Sequence, residues 1–135
     1  MTLEELNAYL ITKADIKRCR DKIREIDLRT IRSPVFGETG GHQGSSARNP
    51  VEERYIKALA DKEKFERRIA ENEALIERIE TYISSIKDRR TRMIFEMRIY
   101  DAETFRKIAV KIGGGNSEES VKSIFYRYLK YHPRG

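Results

Sequence analysis

Residues 91–131 read TRMIFEMRIYDAETFRKIAVKIGGGNSEESVKSIFYRYLKY, and this stretch decides the fold. Its apolar residues return at helical intervals in three short runs. The first, Thr91–Tyr100, predicts a helix with Met93, Ile94, Met97 and Tyr100 on one side. Asp101 breaks or caps it. The second, Glu103–Ile112, sets Phe105, Ile108, Ala109 and Ile112 at helical spacing. Gly113, Gly114 and Gly115 then end that helix, because glycine accepts the positive φ needed just past a helix C-terminus. Asn116 or Ser117 caps a last helix, with Glu119 placed to complete a capping box with Asn116. The third run is expected to bury Val121, Ile124, Phe125, Tyr128 and Leu129.

Three short helices, with a small residue at Ala109 and glycine in the next turn, describe a helix-turn-helix. The small side chain lets the second helix approach the third closely. The outer face of the last helix then carries Glu118, Glu119, Lys122, Ser123, Tyr126 and Arg127, with Asn116 and Ser117 at its tip and Lys130 near its end. Lysine and arginine meet phosphates or guanine, serine bonds a phosphate or a base edge, and glutamate accepts from cytosine. Arg89, Arg90, Arg92, Arg106, Lys107 and Lys111 are candidates for the phosphate contacts that dominate affinity. The expected partner is double-stranded DNA.

Charge points the same way. The chain of 135 residues carries a net +6. Residues 1–86 hold 16 basic and 16 acidic side chains, whereas residues 87–135 hold 12 basic and 6 acidic. The whole excess belongs to the last third, which marks a polyanionic partner, either nucleic acid or an anionic membrane. No apolar run approaches the roughly 20 residues of a membrane span. The N-terminus lacks the basic and apolar regions of a signal peptide. A soluble, reduced protein in the cytoplasm is expected, with no membrane partner. The one cysteine, Cys19, lies on an apolar stripe and reads as a small core residue.

Moving upstream, a long helix starts at Asn49-Pro50, with Asn49 as N-cap, Pro50 at the first helical position and Glu52 and Glu53 in the first turn. Its seam is Tyr55, Ala58, Lys62, Phe65, Ile69, Asn72, Ile76, Ile79, Ile83 and Ile86, at strictly alternating intervals of three and four. That is a coiled-coil period, and the helix from Val51 to Ile86 is expected to reach about 54 Å. Lys62 can run its stem along the seam. Asn72 either sets the register or lies in a solvated stretch. Residues 33–50 are rich in Gly, Ser, Pro and Asn and form a flexible connector, in which Val35 and Phe36 can dock on the helices and His42 stands alone. Before it, Leu3–Leu28 predicts a helix with a Thr2–Glu5 capping box and an apolar stripe of Leu3, Leu6, Leu10, Ile16, Cys19, Ile23 and Ile26.

The expected architecture is all-α. Residues 1–86 form a long antiparallel helical hairpin, a coiled coil, and residues 87–135 form the three-helix helix-turn-helix module. The second helix outlasts the first, so part of its seam needs another partner. The C-terminal module or a second subunit, giving a homodimer through the coiled coil, would supply it.

Three stretches resemble region 4 of the sigma-70 factors. They are Arg92-Met93-Ile94-Phe95-x-Met97-Arg98-x-Tyr100, Phe105-x-x-Ile108-Ala109-x-x-Ile112-Gly113, and Ser117-x-x-x-Val121-x-x-Ile124. The whole layout is similar to small late-gene transcription regulators of the ArpU and RinA class, encoded by phages and prophages of Gram-positive bacteria. The resemblance implies DNA binding through Glu118, Glu119, Lys122, Ser123 and Arg127, and allows contact with RNA polymerase. The chain departs from the family in one respect. Ile112 to Val121 spans nine positions, two more than region 4 uses, so its turn is longer.

Two other functions fit the same pattern. A small terminase-like subunit of a phage packaging machine also joins a helix-turn-helix to coiled-coil assembly. A polymerase-binding coiled-coil adaptor would need no DNA. An enzyme is not expected, because Cys19, His42 and His132 stand in unrelated contexts and form no nucleophile–base set. No cofactor or metal is expected either.

Overall fold

A computed structural model describes residues 1–32 and 50–134, the side chains of Ile31 and Arg32 excepted. The connector, including Val35, Phe36, His42 and the Asn49 cap, lies outside the described residues apart from Pro50. Among the described residues all regular structure is helical, and no strand occurs. The elements are α1 (Leu3–Asn7), α2 (Tyr9–Arg32), α3 (Pro50–Ser84), α4 (Arg89–Phe95), a π-helical segment (Glu96–Tyr100), α5 (Phe105–Ile112) and α6 (Glu118–Tyr131). No helix of the described residues is long and apolar enough to cross a membrane.

Local signals set most of the helix ends. Thr2 and Glu5 make the expected reciprocal capping box, and Pro50 is the first residue of α3. The expected Leu3–Leu28 helix is interrupted at Ala8, whose N–H is shared among the carbonyls of Glu4, Glu5 and Leu6. The interruption shifts the stripe. Leu6 and Tyr9 are buried and Leu10 is exposed, so the Leu3-Leu6-Leu10 reading is corrected. Tyr9 wins the inner position because its ring meets Tyr100 at 4.8 Å while its hydroxyl donates to Glu80 at 2.8 Å. α3 ends at Ser84, two residues before the expected Ile86, where the Ser85 hydroxyl donates to the Tyr82 carbonyl at 2.6 Å.

The chain divides into two compact units. One comprises Asp15–Asn72, the other Met1–Ala14 with Glu73–Gly135. This division crosses α3 between Asn72 and Glu73, whereas the expected units were residues 1–86 and 87–135. The reason is that the end of α3 shares one apolar core with the C-terminal helices.

In the Asp15–Asn72 unit, Asp15 accepts from Arg68 Nε and Nη2, both at 2.7 Å, and from Asn72 Nδ2 at 2.8 Å. Lys62 Nζ meets Asp27 at 3.0 Å. Early residues of α2 pair with late residues of α3 and the reverse, so the two stretches run antiparallel. Asn72 thus bonds across the pair, and Lys62 ends in an ion pair. Burial pushes the Asp15 carboxyl up, but the hydrogen bonds from Asn72 and Arg68 and the guanidinium charge outweigh it and hold the group below the usual carboxylate range. Ile16 and Cys19 are buried, while Ile23, Ile26, Phe65 and Ile69 are only half-buried.

The other unit carries the larger core. Ile79, Tyr82, Ile83 and Ile86 pack with Ile94, Phe95, Ile99, Phe105, Ile108, Ala109, Val121 and Phe125. At its centre Phe95 stacks on Phe125 at 4.4 Å, and Phe105 and Tyr128 close on them edge-on at 5.4 and 5.5 Å. Such offset and edge contacts add to the burial of large rings. Burial pushes the phenols of Tyr82 and Tyr100 up to about 12. In the unfolded chain they ionise near 10. The unfolded state therefore releases these protons first, and stability falls as pH rises from 10 through 12. Alkaline unfolding followed by circular dichroism should show that loss, and Tyr82→Phe should diminish it.

Candidate nucleic-acid interface

The N-cap of α4 is Asp88, whose carboxylate accepts from the Thr91 amide at 3.0 Å and its hydroxyl at 2.6 Å. Those two bonds hold the Asp88 carboxyl below its ordinary range. The helix therefore starts at Arg89, two residues before the expected Thr91. From Glu96 it widens into the π segment, closed by the Asp101 N–H on the Glu96 carbonyl at 3.3 Å. The extra residue in that turn rotates the later side chains about the helix axis. Ile99 is buried and Met93 is exposed, which corrects the expected Met93-Ile94-Met97-Tyr100 stripe.

Ala102 then takes a φ of +53°, and Thr104 caps α5 by accepting from the Lys107 N–H at 3.2 Å. α5 thus starts at Phe105, not Glu103. Ala109 is buried, as its small size requires for close approach of α5 and α6. Gly113 ends α5 at φ +66° and ψ −149°, and Gly114 and Gly115 come next at +63° and +78°. The Gly113 conformation is one that only glycine adopts without strain, although a Cβ there would touch nothing. Gly113→Ala is expected to cost about 1–3 kcal/mol, read as a lower thermal midpoint. Asn116 folds back, its Nδ2 donating to the Gly113 carbonyl at 2.7 Å. The cap of α6 is Ser117, whose hydroxyl accepts from the Ser120 N–H at 3.1 Å. Of the two capping candidates Ser117 is chosen, so the Asn116–Glu119 box does not form.

α6 buries Val121 and Phe125 and half-buries Ile124, Tyr128 and Leu129. Its outer face bears Glu118, Glu119, Ser123, Tyr126, Arg127 and Lys130, all exposed, with Lys122 half-buried beside them. Glu119, Ser123, Arg127 and Lys130 succeed one another at helical spacing, so acid stands at the N-terminal tip and base behind it. Tyr126 leans its ring toward Phe105 at 5.9 Å.

No protein-family model, curated protein or solved structure matches the chain.

The expected phosphate-binding residues fall into different situations. Arg89, Arg106 and Lys107 are exposed. Arg90 Nη1 reaches Asn116 Oδ1 at 3.5 Å, which brings the start of α4 to the glycine turn. Lys111 is ion-paired with Glu103. Lys130 lies 5.6 Å above the Tyr131 ring. Arg92 turns inward instead: Nη1 donates to the Ile86 carbonyl at 3.2 Å, and Nε lies 3.8 Å from Glu96. It closes the α3–α4 junction.

Two residues were given no role of their own by the sequence reading. Arg98 donates from Nη1 to the Glu103 carbonyl at 3.1 Å and lays its guanidinium 4.2 Å from the Phe105 ring centre. It pins the turn into α5 in place. Val110 is exposed at 76% on α5, between Arg106, Lys107 and Lys111. An apolar residue in a basic run was a visible signal, since it falls off the buried stripe of Phe105, Ile108 and Ala109.

Proposed function

We propose that this chain is a sequence-specific, double-stranded-DNA-binding transcription regulator of phage or prophage type, working without catalysis in the bacterial cytoplasm. In this reading α4 with the π segment, α5 and α6 form the helix-turn-helix, and α2 with α3 forms the helical hairpin. The observation that carries it is the outer face of α6. That face is polar and basic along Lys122, Ser123, Arg127 and Lys130, while the inner face is anchored by Val121 and Phe125. A helix held rigidly by one face and presenting the other fits the major groove.

Arg127 and Lys122 meet phosphate or guanine, Ser123 a base edge or phosphate, and Glu118 and Glu119 accept from cytosine. Arg89, Arg90, Arg106 and Lys107 flank that face and neutralise the backbone. The basic excess of residues 87–135 supplies the long-range attraction. Contact with RNA polymerase belongs to the same reading and would use α5, where Val110 is exposed.

The test is a mobility shift on DNA from upstream of the gene encoding the chain, across a salt series. Phosphate contacts by Arg89, Arg90, Arg106, Lys107, Lys122 and Arg127 predict a log–log salt slope of about −5. Absence of binding at low salt, with tight capture of polymerase, would instead favour an adaptor.

A further inference from the structure

The helix pair of the Asp15–Asn72 unit is too thin to bury its own seam: Ile23, Ile26, Ala58, Phe65 and Ile69 all remain half-buried. Its two flanks are marked by ion pairs, Lys62–Asp27 at 3.0 Å on one and Arg68–Asp15 at 2.7 Å on the other. On the Lys62–Asp27 flank, α2 presents Lys17, Arg20 and Arg24 at spacings of three and four, in line with Asp27. Beside them α3 presents Tyr55, Leu59 and Glu66, in line with Lys62, with Glu63 adjoining. Steps of three and four keep each set in one row along its helix. One row is therefore basic. The neighbouring row is acidic toward one end and apolar toward the other, with Tyr55 exposed at 47% and Leu59 at 43%.

The opposite flank differs. There the α2 row runs Asp15, Arg18, Lys22, Glu25 and Arg29, with Lys22 Nζ 3.5 Å from Glu25, and the α3 row runs Lys57, Asp61, Lys64 and Arg68, so both rows mix the two signs and neither offers a basic row to an acidic one.

We infer that the Lys62–Asp27 flank is the interface of a homodimer whose two-fold axis runs parallel to the helices. That operator lays the basic row of one copy on the acidic row of the partner, and the reverse, in an isologous contact. A two-fold axis lying across the helices would set basic on basic. The parallel axis also brings Tyr55 and Leu59 of both copies to one end, where they cover each other. Every helix in the resulting bundle has antiparallel neighbours. Both chains leave the bundle at the Asp15/Asn72 end. The α2 part of the unit, 18 residues, is about 27 Å long. A face about 20 Å wide then gives about 1,000 Å² over both copies, the lower limit for a specific interface. The dimer is therefore weak and forms with rising concentration.

Sedimentation of the full chain over a concentration series tests it. The wild type should pass from monomer to dimer. Arg20→Glu with Arg24→Glu makes both rows acidic, and Glu63→Lys with Glu66→Lys makes both basic. Each variant alone should stay monomeric. An equimolar mixture of the two should form a heterodimer, which also shows that both are folded. A wild type that stays monomeric, a larger ring, or variants that dimerise like the wild type would each overturn the inference. DNA binding by α6 is read separately in the mobility shift, so either conclusion can fail without the other.

Discussion

Replacing Lys122 and Arg127 together by alanine is expected to weaken DNA binding by at least about 30-fold. Both lie on the outer face of α6, Arg127 exposed and Lys122 half-buried, and neither belongs to the shared apolar core. Each contact to a phosphate or guanine is worth about 1 kcal/mol or more, and about 2 kcal/mol together is a factor of about 30. The salt slope should flatten by about 2, because two fewer counterions are released. The circular dichroism spectrum and thermal midpoint should not move. Binding that survives undiminished would sink the assignment of α6 as the reading helix. Arg92→Ala is the contrast. Its guanidinium is committed to the Ile86 carbonyl and Glu96, so it should lower stability and leave the salt slope as it is.

Phe125→Ala should have the largest effect on stability. The ring is fully buried, stacked on Phe95 at 4.4 Å and met edge-on by Phe105 at 5.4 Å. Truncating a buried phenylalanine costs about 3–5 kcal/mol, out of a total of about 5–15 kcal/mol for an ordinary domain. The thermal midpoint should fall by about 10 °C or more. DNA binding should weaken with it, because the residue that anchors α6 is gone. Here, unlike the Lys122, Arg127 pair, the loss should be relieved by cooling. A midpoint shift under about 3 °C would mean that the aromatic cluster does not hold α6 in solution.

The outer face of α6 was legible from the order of residues, since its polar positions simply alternate with the buried Val121 and Phe125. So were the small Ala109, the glycine stop after Ile112, the Thr2–Glu5 box and Pro50 at the head of α3. Each of these depends on a few neighbours: a backbone angle, a cap, a steric allowance. Phase was lost wherever the helix departed from regular winding. The break at Ala8 exchanged Leu10 for Tyr9, and the π segment turned Ile99 inward. A period read along the sequence assumes a constant turn, and one residue more per turn moves every later side chain around the axis.

Charge was legible as a sum and not as a disposition. The excess in residues 87–135 is plain from the sequence. Which arginines are free to meet a phosphate is not. Arg92 and Arg98 are arginines like Arg127, yet one holds the Ile86 carbonyl and the other covers the Phe105 ring. Those partners are brought up by packing, not by proximity along the helix.

The stretch 91–131 thus determined by itself that there would be three short helices, where glycine would end the second, and which side of the third would face outward. Tertiary structure decided the rest. It brought Arg90 at the start of α4 to within 3.5 Å of Asn116 at the glycine turn, where the local bond of Asn116 to the Gly113 carbonyl leaves Ser117 to cap α6. It also joined the end of α3 to that stretch in one core. The physical reason is the same in both cases. Caps, breaks and periodicity are contests among near neighbours, whereas burial and hydrogen-bond partnership are settled between segments that only folding brings together.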